Sequence, residues 1–166
     1  AKAVGGVALS CDVTDPVGAE AALAKVQNVL GQPRVLVNCA GIGPAERIVG
    51  REGPMPLDSF SKCININVIG SFNMLRIVSH SMSQAEPMDE DGERGVIINT
   101  SSVAAYDGQV GQAAYASSKG RSPASLCRPR GNWHALGYAC SQLLPGYLKR
   151  QCFADCLSQR RNHLKK

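Results

Sequence analysis

Residues 97–119 constrain the fold more than any other stretch of this 166-residue chain. The apolar run at residues 96–98 turns polar at residues 99–102, as expected where a buried strand ends and a loop begins. Beyond a glycine-containing loop, Tyr115 and Lys119 share one face of a helix if the chain is helical from residue 112. Ser102, at the end of the strand, can face them across the loop. The pattern predicts a strand–loop–helix unit.

This unit has the composition of a proton-transfer site. The charge of Lys119 favours ionisation of the Tyr115 phenol, and the Ser102 hydroxyl can position a substrate oxygen. A tyrosine and a lysine four residues apart are common on helix surfaces, so the spacing alone is weak. The serine thirteen residues before the tyrosine makes incidental hydroxyl groups the less favoured interpretation.

The first forty residues predict a strand–helix unit of their own. Residues 6–11 form a short apolar run that indicates a strand. Thr14 or Asp15 can cap the following helix, and Pro16 suits its first turn. Apolar residues at helical spacing continue to Gly31, where the helix is expected to end.

A second unit of the same kind follows. The apolar run at residues 35–38 predicts a strand that is buried on both faces, as in parallel sheets. Small residues at 39–43 let a planar ligand approach the backbone. A long helical pattern then extends from residue 57 to about residue 82. Consecutive units of this kind predict an α/β fold, a doubly wound parallel sheet with helices on both faces.

The composition divides the chain at residue 120. Residues 1–120 carry nine Lys or Arg and twelve Asp or Glu, a net charge of −3. Residues 121–166 carry nine basic residues and one acid, Asp155, a net charge of +8. Four of the seven cysteines also lie in this second part. We therefore interpret residues 1–120 and 121–166 separately.

Other features indicate the cellular environment. No segment approaches the about eighteen apolar residues of a membrane span, and the first residues lack the apolar block of a signal peptide. Cys11, Cys39 and Cys63 lie in apolar contexts and are expected to be buried, reduced thiols. We expect a protein that is not secreted, does not enter a membrane and works in a reducing compartment.

Three strings carry a resemblance to a known family: VNCAGI, GVIINTSSVAA and GQVGQAAY. They resemble the short-chain dehydrogenase/reductase family and, more narrowly, its type 2 3-hydroxyacyl-CoA dehydrogenases, which also act on hydroxysteroids. The resemblance covers residues 1 to about 120, and an acidic loop at residues 83–95 is similar to one in that subfamily. It implies a Rossmann-like fold and NAD-dependent oxidation of a secondary alcohol on an acyl-CoA or steroid. It also implies a parent homotetramer in the mitochondrial matrix or bacterial cytoplasm.

The resemblance further implies catalytic roles. Ser102 would orient the substrate oxygen and Tyr115 would be the acid/base. Lys119 would assist the tyrosine and hold the nicotinamide ribose. Asn67 would kink its helix, bind a water and relay protons to the lysine. Judged by pattern alone, Asn67 can also be an ordinary amide bridging helices.

The same resemblance implies ligand contacts. Tyr115 and Lys119 would share the cofactor with residues at two strand ends: Asp12 and Val13 at the adenine, and Asn38, Cys39, Ala40 and Gly41 along the cofactor. Gln109 and Gln112 would contact the substrate together with Ser102 and Tyr115. Taken alone, Asp12 is more often a helix-capping acid.

The chain departs from the family pattern at its beginning and at its end. The T-G-x-x-x-G-x-G turn, whose amides hold a pyrophosphate, does not occur in it. We therefore expect an incomplete Rossmann-like sheet from which the first βαβ unit is missing, and an impaired fragment. Residues 1–120 would form a partial dinucleotide-binding domain. After residue 120 the sequence is rich in Arg, Cys and Pro, which predicts irregular structure.

Residues 121–166 are interpreted as an out-of-frame, non-native tail. Permitted codons for residues 141–150, read from the third nucleotide, can give T-I-A-P-G-L-F-K-T, the family's strand and P-G turn. The same offset applied upstream can give the family's missing helix. Sequencing of the transcript would show a one-base slip near residue 120 if this interpretation is right.

Other functions remain open for the tail. A non-catalytic remnant whose basic tail binds nucleic acid or another acidic partner is the alternative. Nucleic acid is the less favoured partner, because the basic residues do not cluster and few aromatic residues could stack. A zinc site from Cys152, Cys156 and His163 has an unusual spacing, and no metal is expected.

Overall fold

The described chain alternates helices and strands. A computed structural model describes residues 2–88, 90, 92–120 and 138–143. The helices and strands, in chain order, are α1 (Pro16–Leu30), β1 (Val35–Asn38), β2 (Val49–Gly50), β3 (Gly53–Pro54), α2 (Leu57–Ile64), a π-helix (Asn65–Gly70), α3 (Ser71–Ser83), β4 (Gly95–Thr100), α4 (Ala113–Gly120) and β5 (Tyr138–Leu143). Short 3-10 turns lie at Lys2–Val4 and Val103–Ala105.

A parallel sheet in the order β1–β4–β5 forms the centre of the fold. Strand β4 lies in the middle, and its residues alternate between buried and half-buried, as expected for the pleat. In the register, Val35 lies opposite Val96 and Asn38 opposite Asn99. Strands β2 and β3 form a small antiparallel pair. The α/β class with a parallel sheet, predicted from the sequence, is confirmed.

The core lies between the sheet and helices α1 and α3. Its buried members are Ala19, Leu75, Ile77, Val78, Met82 and Ile97, and partly buried Leu23, Leu36 and Met74 pack against them. A methyl group on Gly95 would lie 2.7 Å from both Met82 Sδ and the Arg34 carbonyl oxygen. The first residue of β4 therefore has to be glycine for α3 to approach the sheet so closely.

Helix α1 begins and ends where the sequence predicts. The Asp15 carboxylate accepts a hydrogen bond from Val17 N at 3.0 Å, and Pro16 occupies the first turn. Gly31 follows the helix with a φ of 82°, a conformation that glycine adopts without steric cost. These signals lie within a few residues of one another, so they act before any tertiary contact forms.

Two predictions about the strands at the β1 side of the sheet are wrong. Residues 6–11 form no strand, and Val7 and Leu9 are 41% and 39% exposed. In β1, Val35 is 58% exposed and Val37 48%, although both faces were expected to be buried. An apolar run becomes a paired strand only where a neighbour supplies backbone partners, and no strand among the described residues flanks β1 on that side.

The long helix predicted from residue 57 to about residue 82 is present with an interruption. It runs as α2, the π-helix and α3 without a break from residue 57 to residue 83. A π-turn accommodates one extra residue per turn and is common at functional sites. The interruption contains both asparagines, Asn65 and Asn67, that fit poorly in a helix interior.

The expectation of irregular structure after residue 120 is wrong for six residues. Residues 138–143 form β5, which pairs in parallel with all six residues of β4. The exposed edge of a strand accepts any extended segment, because the pairing uses backbone groups rather than particular side chains. The nucleic-acid, zinc and out-of-frame hypotheses rest mainly on residues 121–137 and 144–166, which lie outside the described residues.

In the described ranges, none of the helices is long and apolar enough to cross a membrane.

Candidate active site

The carboxyl end of β1 runs into a segment that passes very close to the predicted catalytic residues. A methyl group on Gly41 would lie 3.1 Å from Asn67 Oδ1 and 3.9 Å from Lys119 Nζ. A methyl group on Gly43 would lie 3.3 Å from Cδ2 of the Tyr115 ring. The two glycines therefore allow one strand end to pass against Asn67, Tyr115 and Lys119 together.

Helix α4 carries the tyrosine and the lysine one turn apart, as the spacing predicts. Lys119 Nζ donates a hydrogen bond to the Thr100 carbonyl oxygen at 3.1 Å and lies 5.8 Å from the centre of the Tyr115 ring. Both side chains are half-buried. The lysine thus connects α4 to the end of β4, and its ammonium charge is held beside the phenol.

Ser102 lies just beyond β4 and is buried. It caps the turn Val103–Ala105, where its Oγ accepts a hydrogen bond from Ala104 N at 3.2 Å. Because that bond uses a lone pair, the hydroxyl hydrogen of Ser102 stays available to a further acceptor. The loop beyond the turn packs on α4, since a methyl group on Gly108 would lie 3.2 Å from Ala116 Cβ.

Asn67 joins three separate segments of the chain. Its Oδ1 accepts a hydrogen bond from Ile42 N, and its Nδ2 donates to the Ile42 carbonyl oxygen and to Ser118 Oγ, each at 2.8 Å. The Sγ atom of Cys63 lies 3.4 Å from the same Nδ2. We call these four residues, Ile42, Cys63, Asn67 and Ser118, the Asn67 junction. The side chain of Asn67 is 4% exposed and uses both amide hydrogens within the protein.

Cys63 is the buried thiol of the junction. It is fully buried, and burial raises the pKa of its thiol, although the Ser118 hydroxyl and the charge of Lys119 oppose that shift. The thiol therefore stays neutral at physiological pH. The expectation that Cys11 and Cys39 are also buried is wrong, because both thiols are exposed.

The residues predicted at the adenine lie at the other end of the π-helix. The main-chain oxygen of Val13 accepts a hydrogen bond from Asn73 Nδ2 at 2.9 Å, and the Val13 side chain packs against Gly70. Asp12 is exposed, and its Oδ1 accepts from the backbone N and the hydroxyl of Thr14. Both bonds lower the pKa of the Asp12 carboxyl, and the bond from the Thr14 backbone N has the larger effect.

The π-helix therefore contacts both segments that the resemblance assigns to the cofactor. One segment meets it at Gly70 and the other at Asn67, three residues earlier. Asn38 differs from its neighbours, because it is buried inside the sheet, where its Nδ2 donates to Asn99 Oδ1 at 2.9 Å. Cys39 and Ala40 are exposed at the strand end.

The two glutamines predicted at the substrate lie in the loop before α4. Gln109 is exposed and its carbonyl oxygen accepts a hydrogen bond from Gln112 N at 3.0 Å. Gln112 is half-buried and forms an isolated bridge with Glu46. The loop is thereby fixed to the segment that follows β1, on the same side of the molecule as Gly43.

Four further residues contribute to the site although the sequence analysis gave none of them a role in it: Ile42, Cys63, Thr100 and Ser118. Ile42 and Thr100 contribute only main-chain groups, which leave no signal in the sequence. Ser118 carries a weak signal, since a serine inside a helix often bonds back to a preceding carbonyl. Its Oγ does so, donating to the Tyr115 carbonyl oxygen at 2.7 Å.

A parallel sheet with helices packed on it, and polar residues gathered at a strand end, place this chain in the doubly wound α/β class. The model of a protein family described as short chain dehydrogenase matches residues 2–148. The chain belongs to this family of oxidoreductases. The match extends beyond residue 120 and includes β5.

Individual relatives support the narrower resemblance as well. The chain is 49% identical over 111 residues to bovine (Bos taurus) 3-hydroxyacyl-CoA dehydrogenase type-2. The aligned stretch covers 66% of this chain and 42% of the relative. The human (Homo sapiens) protein of the same name is 47% identical over 111 residues, which again cover 66% of this chain and 42% of the relative. A crystal structure of 3-hydroxyacyl-CoA dehydrogenase type-2 from Mycobacterium avium superimposes with a TM-score of 0.71 at 35% identity, covering 80% of this chain and 52% of that one. The chain thus spans about half the length of these relatives.

Proposed function

We propose that this chain carries the proton-transfer centre and one wall of the NAD site of a dehydrogenase. The parent protein would oxidise a secondary alcohol on a 3-hydroxyacyl-CoA or a hydroxysteroid. The observation that carries the proposal is the convergence of Tyr115, Lys119 and Asn67 on the glycine segment at the end of β1. The names of the bovine and mycobacterial relatives support the acyl-CoA substrate.

Tyr115 and Ser102 would act on the substrate hydroxyl. Tyr115 would take the proton of that hydroxyl, and the Lys119 ammonium lies 5.8 Å from the centre of its ring. Ser102 would donate its hydroxyl hydrogen to the same substrate oxygen, because the bond from Ala104 N engages only one lone pair of Oγ and leaves that hydrogen available. Such a donor stabilises negative charge as it develops on that oxygen.

Lys119 and Asn67 would hold this pair in place and return the proton to solvent. One N–H of Lys119 is bound to Thr100, which leaves two for a ribose or water oxygen. The side chain of Asn67 is committed to Ile42 and Ser118, so a water bound at this residue would be held by its main-chain carbonyl. Asn67 would therefore contribute position rather than a side-chain proton.

The described residues fit one part of the NAD molecule. Small residues at the end of β1 and the free N–H groups of Lys119 suit the nicotinamide riboside, and bound NAD would supply the hydride acceptor. The diphosphate has no comparable place among the described residues. At the start of α1, the Asp15 carboxylate already occupies the Val17 amide and would repel an anion. We therefore propose weak cofactor binding and impaired turnover for this chain alone.

The test measures NADH binding by its fluorescence and the oxidation of 3-hydroxybutyryl-CoA with NAD. Tyr115→Phe is expected to lower turnover by roughly 10²–10⁴-fold while NADH affinity is retained. Tyr106→Phe is the matched control, because Tyr106 is 79% exposed in the preceding loop, and it should leave both quantities unchanged. Equal turnover in Tyr115→Phe and the unmodified chain, or no NADH binding by either, contradicts the proposal.

A further inference from the structure

The Asn67 junction contains one residue of α4, Ser118. Its Oγ accepts a hydrogen bond from Asn67 Nδ2 at 2.8 Å and donates one to the Tyr115 carbonyl oxygen at 2.7 Å. The residue is 1% exposed. The hydroxyl therefore spans from the π-helix to the main chain of the tyrosine itself.

The other partners of Asn67 among the described residues lie outside α4. Ile42 belongs to the segment after β1, and Cys63 lies one turn earlier on α2. Through Asn67, Ser118 thus connects the helix of Tyr115 and Lys119 with the strand end that passes Gly41. A contact that fixes the distance between these two elements also fixes the place of the ammonium and the phenol beside the strand end.

We infer that Ser118 is a positioning residue that acts through Asn67, an inference that rests on the proposed function. Its hydroxyl sets the separation between α4 and the end of β1 and thereby aligns Tyr115 and Lys119 for proton transfer. In the proposed arrangement, Ser118 touches neither substrate nor cofactor. Removing the hydroxyl should therefore slow the chemical step and leave ligand binding largely intact.

Among the described residues, no nearby atom replaces the Ser118 hydroxyl. The alternative acceptor for Asn67 Nδ2 is Cys63 Sγ at 3.4 Å, and a thiol sulfur is a weak acceptor. The Tyr115 carbonyl oxygen would also lose the short bond from the hydroxyl. An alanine at this position leaves a buried amide hydrogen poorly satisfied, and the junction should loosen.

The test compares Ser118→Ala with Ser117→Ala and Ser118→Thr in the full chain. Ser117 is the adjacent, exposed serine of α4, so its replacement makes the same chemical change away from the junction. Ser118→Ala is expected to lower kcat roughly tenfold with KM for NAD unchanged, whereas Ser117→Ala retains both. Ser118→Thr keeps the hydroxyl and should recover most of kcat.

A second measurement does not depend on activity. The side-chain NH₂ signals of Asn67 in a ¹H–¹⁵N spectrum, assigned by their loss in Asn67→Asp, should be protected from solvent exchange. Ser118→Ala should shift them and speed their exchange roughly tenfold, and Ser117→Ala should not. If these signals respond while no variant is active, the junction stands and the proposed function fails.

Two results would overturn the inference. The first is an Asn67 signal that Ser118→Ala leaves unchanged in position and exchange rate. The second is an active chain whose kinetics do not fit a positioning role. In that case Ser118→Ala raises KM as much as it lowers kcat, or Ser118→Thr folds but does not restore kcat.

Discussion

Replacing Asn67 by aspartate should destabilise the protein, although the two side chains have nearly the same shape. Oδ1 of the new residue can still accept the hydrogen bond from Ile42 N. The second oxygen, however, replaces an amide that donates to the Ile42 carbonyl oxygen and to Ser118 Oγ, each at 2.8 Å. A carboxylate has no hydrogen to give, so it faces a carbonyl oxygen at hydrogen-bond distance.

The size of the effect follows from the two lost donations. Each leaves a buried polar group short of a partner, at a cost of about 1–3 kcal/mol, so the pair costs about 2–6 kcal/mol. This is a large share of the roughly 5–15 kcal/mol that stabilises a typical domain. In a domain of this size, about 2–4 °C of Tm is lost per kcal/mol, which gives a decrease of roughly 4–24 °C.

Asn65→Asp provides the matched control for this prediction. Asn65 lies on the same π-helix but is exposed, and its replacement introduces the same charge. We expect its effect to stay within about 0.5 kcal/mol. Thermal and urea unfolding followed by circular dichroism at pH 7 measures both variants.

The pH dependence supplies a second check on the same variant. A protonated carboxyl regains a hydrogen that it can donate to Ile42, so the deficit of Asn67→Asp should be full near neutral pH and shrink as the pH falls. Equal losses of Tm in the two variants, or a deficit that grows in acid, would refute the reasoning about the junction.

Two further predictions concern packing and charge near the same helix. Gly70→Ala places a methyl group 2.5 Å from a valine side-chain carbon and should lose about 1–3 kcal/mol in urea unfolding. Gly50→Ala, whose nearest neighbour is 3.7 Å away, should lose clearly less, and similar losses would contradict the packing account. The lowered pKa of Asp12 means that its stabilising contribution is present above the unfolded pKa and is lost as the pH falls through the folded one. Thr14→Val removes one of the two bonds responsible and should raise that pKa in an NMR titration, whereas an unchanged titration would count against this cause.

Much of the fold was accessible from local patterns. The cap at Asp15, the first turn at Pro16 and the stop at Gly31 depend on atoms within a few residues of one another. The spacing of Tyr115 and Lys119 likewise predicts a shared helix face. The α/β class follows from the alternation of these elements, because a strand–helix repeat has few ways to bury its apolar faces.

The strands were predicted less well, and the reason is physical. Residues 6–11 and β1 have similar apolar composition, but only β1 lies beside a strand that supplies backbone partners. The exposure of Val35 and Val37 and the formation of β5 likewise depend on which neighbours are present, not on the residues themselves. The apolar residues of a segment do not reveal which strand or helix will lie beside it.

The sequence by itself determined the family and the positions of the helices, and it predicted which residues would transfer the proton, because these depend on motifs and spacings along the chain. Only the tertiary structure decided how Asn67 is used. Its partners, Ile42 and Ser118, lie 25 and 51 residues away in sequence, and one of them contributes main-chain atoms alone. Hydrogen bonds between segments so far apart depend on the packing of the whole sheet and its helices, and no local pattern encodes that packing.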